Sequence, residues 1–194
     1  MGMNNLLPPG PFSVIYADPP WDFKTRSVKG KDGRPQHYDR MSLAQIKALP
    51  VAEVADKDCW LFLWTTGPHL PQAFAVIDAW GFKYSGMGFT WIKLNRKATT
   101  LFISLSDLFM GGGYTTRKNA EFCLLARRGS PKRISKKVRE VLISPVREHS
   151  RKPDEFYDRI ETFAAGPYLE MFSRTSAPGW SSWGNETNKF VYGD

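Results

Sequence analysis

The chain has 194 residues, 42% of them hydrophobic, and its net charge is +8. That length and apolar share are expected of one domain, residues 1–194, with a core that needs no disulfide or metal staple. No stretch approaches the roughly 20 apolar residues that cross a bilayer, and residues 1–11 lack a signal-peptide layout, so a membrane role is excluded and a cytoplasmic location expected. Cys59 and Cys123 sit in apolar runs without ligand-spaced partners, which argues against a zinc site. The charge favours an anionic partner.

In chain order, residues 12–17 form an apolar run between prolines and predict a buried strand ending at Asp18. Residues 42–49 predict a short helix capped by Ser42, and 59–65 a second buried strand. A helix over 70–80 is stopped by Gly81. Strands follow over 82–93 and 120–127, with a glycine-rich loop, Gly111-Gly-Gly-Tyr114, between them. Residues 153–164 carry Phe156, Ile160 and Phe163 at helical spacing, and 168–173 predict a last strand. Strands alternating with helices indicate an α/β fold with a largely parallel sheet, whose ligands bind beyond the carboxyl ends of the strands. That places the site at Asp18. The irregular segments 24–40 and 95–118 are candidate substrate loops.

Two basic clusters flank this point in the sequence. Residues 127–139 hold Arg127, Arg128, Lys132, Arg133, Lys136, Lys137 and Arg139 with no acid, and a second cluster runs over 24–40. A solvated loop is the alternative reading of either one.

Asp18-Pro19-Pro20-Trp21 joins a carboxylate, two residues of fixed backbone geometry and a large aromatic directly after a strand. The exocyclic amine of adenine is a poor nucleophile because its lone pair is delocalised into the ring. Accepting hydrogen bonds from both amine hydrogens localises that pair, and Asp18 with the Pro19 carbonyl can do so. Pro20 stiffens the turn, and Trp21 offers a face on which an extruded base can stack. This is preorganisation more than acid–base chemistry. An ordinary Asp-Pro turn beside a core tryptophan is the competing interpretation.

Further segments match in order: Tyr38 with Met41, Leu61-Phe-Leu-Trp64, Trp80-Gly-Phe82, Trp91 with Lys93, Glu121 before Leu124-Leu125, Arg147 to Pro153, Glu170-Met-Phe-Ser-Arg174, and Trp180 to Glu186. With Asp18-Pro-Pro-Trp21 they make the chain resemble the METTL-type adenine methyltransferases over nearly its whole length. The resemblance implies a Rossmann-like methyltransferase fold with helices on both sheet faces, S-adenosylmethionine as cofactor, and methylation of the 6-amino group of adenine. It implies that Asp18 faces both the target amine and the cofactor's ammonium, and that Lys152 lies near the cofactor carboxylate. Glu170, Phe172, Arg174, Asn185 and Glu186 then belong to the cofactor site, with Glu186 suited to both ribose hydroxyls. Tyr38 belongs to a loop over the base, and Lys93, Arg117, Lys132, Arg133, Lys136 and Lys137 contact nucleic acid. Thr175-Ser-Ala-Pro178 departs from the histidine and asparagine of the mRNA-modifying members.

The motif order resembles DNA amino-methyltransferases, so DNA is the expected substrate and RNA its competitor. Other readings are a non-catalytic nucleic-acid-binding partner of the same fold, and methylation of the cytosine 4-amino group, whose enzymes usually carry Ser and Tyr at the motif's ends. No metal is expected. A homodimer would add nucleic-acid surface.

Overall fold

The computed structural model describes residues 6–22, 40–99, 102–112 and 116–193. Tyr38, the basic stretch 24–39 and Tyr114 lie outside the described residues. Among the described residues seven strands, β1 (Phe12–Ala17), β2 (Ala55–Thr65), β3 (Lys83–Leu94), β4 (Ala120–Arg128), β5 (Val141–Pro145), β6 (Tyr168–Met171) and β7 (Trp180–Trp183), form one sheet in the order β5-β3-β4-β2-β1-β6-β7. Pairings β1–β2, β1–β6, β6–β7 and β3–β5 are parallel, and β4 runs antiparallel to both β2 and β3. The helices are α1 (Leu43–Lys47), α2 (Val51–Val54), α3 (Leu70–Ala79) and α4 (Glu155–Phe163).

Alternate residues of each central strand enter two cores. Ile15, Ala17, Leu61, Leu63, Leu124 and Leu169 pack with Ile46 of α1, Val51 of α2, and Val76 and Ile77 of α3. Val14, Tyr16, Phe62, Trp64 and Cys123 pack on the other face with Phe156, Tyr157 and Ile160 of α4. Helices therefore cover both faces, and the central strands read as unbroken apolar runs because neither side meets water. Ser42 caps α1 in a reciprocal pair with Gln45. Gly81 ends α3 with φ +78, a conformation open to glycine at little cost.

Two local expectations are corrected. The strand expected to reach residue 173 stops at Met171, because Phe172 turns into left-handed backbone with φ 62. The helix expected from 153 begins at Glu155. Strands β5 and β7 were not foreseen. Among the described residues no helix is long and apolar enough to cross a membrane.

The sheet order fixes where a ligand can sit. From β1 the chain moves to β2 on one side, while β6, on the other side of β1, is followed by β7 still further out. The order thus reverses between β1 and β6, and open α/β sheets bind ligands beyond the carboxyl ends of strands at such a switch point. Asp18 follows β1, and Phe172 to Arg174 follow β6.

Candidate active site

Beyond β1, Asp18 and Trp21 frame a tight turn. The Trp21 amide donates to the Pro19 carbonyl at 2.8 Å, and the Met41 amide donates to the Pro20 carbonyl at 3.1 Å. The Pro19 oxygen keeps its second lone pair for another donor. Trp21 is only 5% exposed, donates Nε1–H to the Trp64 carbonyl at 3.1 Å, and stacks on the His69 ring with centroids 5.7 Å apart. One face of the indole is taken by His69, and Trp21 acts as a packed wall that fixes the turn. His69 is held in turn by Thr66 Oγ1, 3.0 Å from its Nδ1. Trp21→Ala should cost on the order of 3–5 kcal/mol of stability, since it empties a buried aromatic site. Denaturant melts check this, and a loss below 1 kcal/mol would show that the wall carries little of the packing.

A chain of four charges runs inward from the turn. Lys152 binds Asp18 Oδ2 and lies 3.2 Å from Glu121 Oε2, and Glu121 Oε1 in turn binds Lys93. Lys152 also sits 5.2 Å over the Trp64 ring and Lys93 4.8 Å over Trp91, so each cation has an aromatic face as well as a carboxylate. Residue 152 precedes α4, Glu121 is the second residue of β4 and Lys93 the last but one of β3; these elements meet at the carboxyl end of β1.

Burial pushes the Glu121 carboxyl up, but Lys152 and Lys93 overcome it and hold the group at about 2. Burial also raises Asp18 above its ordinary 3.8, and Lys152 only partly offsets this. Lys152 is held charged well above the usual lysine range, because its two carboxylates outweigh its own burial. The Asp18 side chain stays 31% exposed, so its carboxylate is reachable from solvent.

Lys93 was expected to touch phosphate and instead closes this network, with its side chain 17% exposed. Glu121 was missed as a site residue; its signal is a lone acid at the head of an apolar strand-like run.

On the β6–β7 side, Arg174 pairs with Glu186 at 3.0 Å and donates to the His149 carbonyl at 2.7 Å, while Lys189 takes the other Glu186 oxygen. Asn185 is exposed beside them. Phe172 meets Trp183 edge to face at 5.4 Å. Gly184 lies so close that an added Cβ would fall 2.6 Å from the Ser173 carbonyl, which joins the ends of β6 and β7 tightly.

Glu170, expected at the cofactor site, lies in β6. It shares a sheet face with Tyr16, is buried, and accepts from Ser173 Oγ at 2.8 Å. Burial raises its carboxyl to about 7, against hydrogen bonds from Ser173 and Tyr157. The folded pKa lies above the ordinary 4.5, so the stability this group contributes is complete below 4.5 and is lost as pH rises through about 7. Glu170→Gln should therefore flatten the pH dependence of stability between those values, by on the order of 3 kcal/mol. Melts at pH 5 and pH 8 measure the difference; an unchanged slope would contradict a protonated Glu170.

Lys132, Arg133, Lys136 and Lys137 are exposed, but they do not flank the catalytic turn. Because β4 is antiparallel to β2, Arg128 at the end of β4 pairs with Cys59 in the first half of β2, and Phe122 pairs with Thr65 at its end. The segment after β4 thus begins at the opposite end of the sheet from Asp18, roughly 20 Å away by strand rise. There the Ile134 amide donates to the Phe163 carbonyl and Trp60 Nε1 to the Lys132 carbonyl. Arg117 is exposed just before β4, at the catalytic end.

The mixed sheet, covered by helices on both faces and reversing its order beside Asp18, is a Rossmann-like α/β fold. Residues 12–186 match the MT-A70 family, and the chain belongs to it. It is 30% identical to the Type II methyltransferase M.MunI of Mycoplasma sp, over 93% of this chain and 79% of that protein. It is 31% identical to a putative N(6)-adenosine-methyltransferase MT-A70-like protein of Medicago truncatula, over 91% of this chain and 26% of that protein. With the N(6)-adenosine-methyltransferase catalytic subunit METTL3 of Homo sapiens it shares 28% identity over 91% of this chain, which spans 28% of that subunit.

Proposed function

We propose that this chain is a single-domain S-adenosylmethionine-dependent methyltransferase acting on the 6-amino group of adenine in DNA. The observation that carries the reading is the part-exposed Asp18 carboxylate, held by Lys152 at the switch point of the sheet and followed by a rigid two-proline turn.

The donor set fits the cofactor. Asp18 suits an ammonium and Lys152 a carboxylate, as at the two ends of an amino acid. Glu186 and Asn185 suit ribose hydroxyls, and Phe172 an apolar ring. S-adenosylmethionine supplies an electrophilic methyl group when bound. Asp18 accepts one hydrogen of the adenine amine and the Pro19 carbonyl the other, which draws the nitrogen lone pair out of conjugation. The bound cofactor would supply the methyl to that lone pair, and Asp18 would take the surplus proton from the nitrogen. A carboxyl raised above its ordinary range accepts that proton more readily than a solvated aspartate. Lys152 aims Asp18, and Glu121 keeps Lys152 charged.

Support for DNA comes from the Type II methyltransferase relative, of which this chain spans far more than it does of the adenosine methyltransferases. Arg96, Lys97, Arg117 and Lys118 lie on the β3–β4 connection at the catalytic end. We place the enzyme in the cytoplasm as a homodimer, with exposed Phe102, Leu105 and Met110 as apolar surface that a second copy would cover.

Calorimetry should give one S-adenosylmethionine bound per chain, and turnover on matched oligonucleotides should favour DNA. Turnover on RNA, with DNA unmethylated both single- and double-stranded, would move the assignment to RNA; no cofactor binding would end it.

A further inference from the structure

A cleft of about 540 Å³ opens beside the segment 145–151, lined by four cationic side chains, Arg96, Arg147, Arg151 and Lys189, with one carboxylate, Glu148, and the Phe190 ring. Its walls lie at the catalytic end of the sheet, since β3 ends at Leu94 and β5 at Pro145. Asp18 is not among its lining residues. Arg151 turns toward the cleft side, where it donates to the Val191 carbonyl at 2.7 Å, while Lys152, the next residue, reaches Asp18. One short stretch of backbone therefore separates the two sites.

We propose that this cleft binds the phosphodiester backbone next to the adenine that enters the Asp18 site; the assignment rests on the nucleic-acid reading above. The cations are already positioned. Asp154 holds Arg147 at 2.9 Å and Arg151 at 3.4 Å, and Glu148 holds Arg151 at 3.2 Å. Phe190 packs between Arg151 and Arg174, whose guanidinium carbons lie 4.9 and 4.8 Å from its centroid. Fixed guanidinium groups lose little freedom on binding and match phosphate oxygens in two-pronged geometry. The cleft volume lies within the range of small-ligand sites, about 300–1,000 Å³. The cluster 132–137, at the far end of the sheet, cannot grip the chain beside a base held at Asp18.

The test is fluorescence anisotropy of labelled duplex DNA, single-stranded DNA and RNA of matched sequence, across a salt series, with the full chain. For Arg96→Ala/Arg147→Ala we expect about tenfold weaker binding at fixed salt. The plot of log K against log salt should be shallower by about 0.9 per lost contact on duplex DNA, or about 0.7 on single strands. Arg96→Glu, whose side chain is 71% exposed, should act in the same direction without disturbing the fold. The polymer that shows the loss is the one bound.

Wild-type affinity and slope in both variants would overturn the cleft, as would a loss of S-adenosylmethionine affinity with nucleic-acid binding intact. Turnover is read separately. A wild-type protein that binds with these salt effects but transfers no methyl group would sink the methyltransferase reading and leave the cleft standing.

Discussion

Asp18→Ala is expected to lower methyl transfer by at least about a thousandfold while the chain still folds. The upper range for one preorganised electrostatic group is about 10²–10³, and Asp18 is asked both to localise the amine lone pair and to carry off its proton. Folding should survive because Lys152 keeps its second carboxylate, Glu121, at 3.2 Å. Asp18→Asn separates charge from shape. An amide oxygen can still accept one hydrogen bond but takes no proton. We expect it to retain at most a few per cent of wild-type kcat, with circular dichroism and melting unchanged. Substantial activity in Asp18→Asn would show that geometry alone suffices, and activity in Asp18→Ala would remove the assignment.

The second large effect is predicted for Lys152→Ala. Its side chain is only 11% exposed and it separates two carboxylates, so truncation leaves Asp18 without a counter-ion and Glu121 with Lys93 alone. Removing one partner of a buried ionic group costs about 3–5 kcal/mol, more than the roughly tenfold loss of cofactor affinity expected from one missing charge-assisted contact. The pH response fixes the sign. Lys152 pulls Asp18 downward, so its removal should move the acidic limb of the rate profile to higher pH. Adding Asp18→Asn should recover part of the stability, because the unpaired charge is gone; a double variant as unstable as the sum of the single ones would contradict a coupled network.

Much of this was legible in one dimension. The runs of β1 and β2 are apolar because both sheet faces are covered, and the turn residues after β1 announce a site. Strands β5 and β7 escaped for identifiable reasons. β5 is a five-residue edge strand with Val141 and Ile143 exposed, and β7 places two serines between its tryptophans, so neither shows a buried run. The charge network was hidden by separation: Asp18 and Lys152 are 134 positions apart, and Glu121 meets Lys93 through the β3–β4 pairing. Strand direction misled most. If 120–127 had run parallel to β2, the basic segment after it would lie at the catalytic end. Direction is a property of the connection and the sheet order, and no local pattern in 120–139 encodes it. The arginines of the cleft, by contrast, are scattered over Arg96, Arg147 and Arg151 and make no cluster in the sequence.

The central claim is methyl transfer to the 6-amino group of adenine at Asp18. The direct measurement is incubation of wild type and Asp18→Asn with methyl-labelled S-adenosylmethionine and adenine-containing DNA, followed by nucleoside mass spectrometry. Label in N6-methyldeoxyadenosine with the wild type, nearly absent with Asp18→Asn, is the predicted result. Label in a methylated cytosine, or equal label in both proteins, would contradict it.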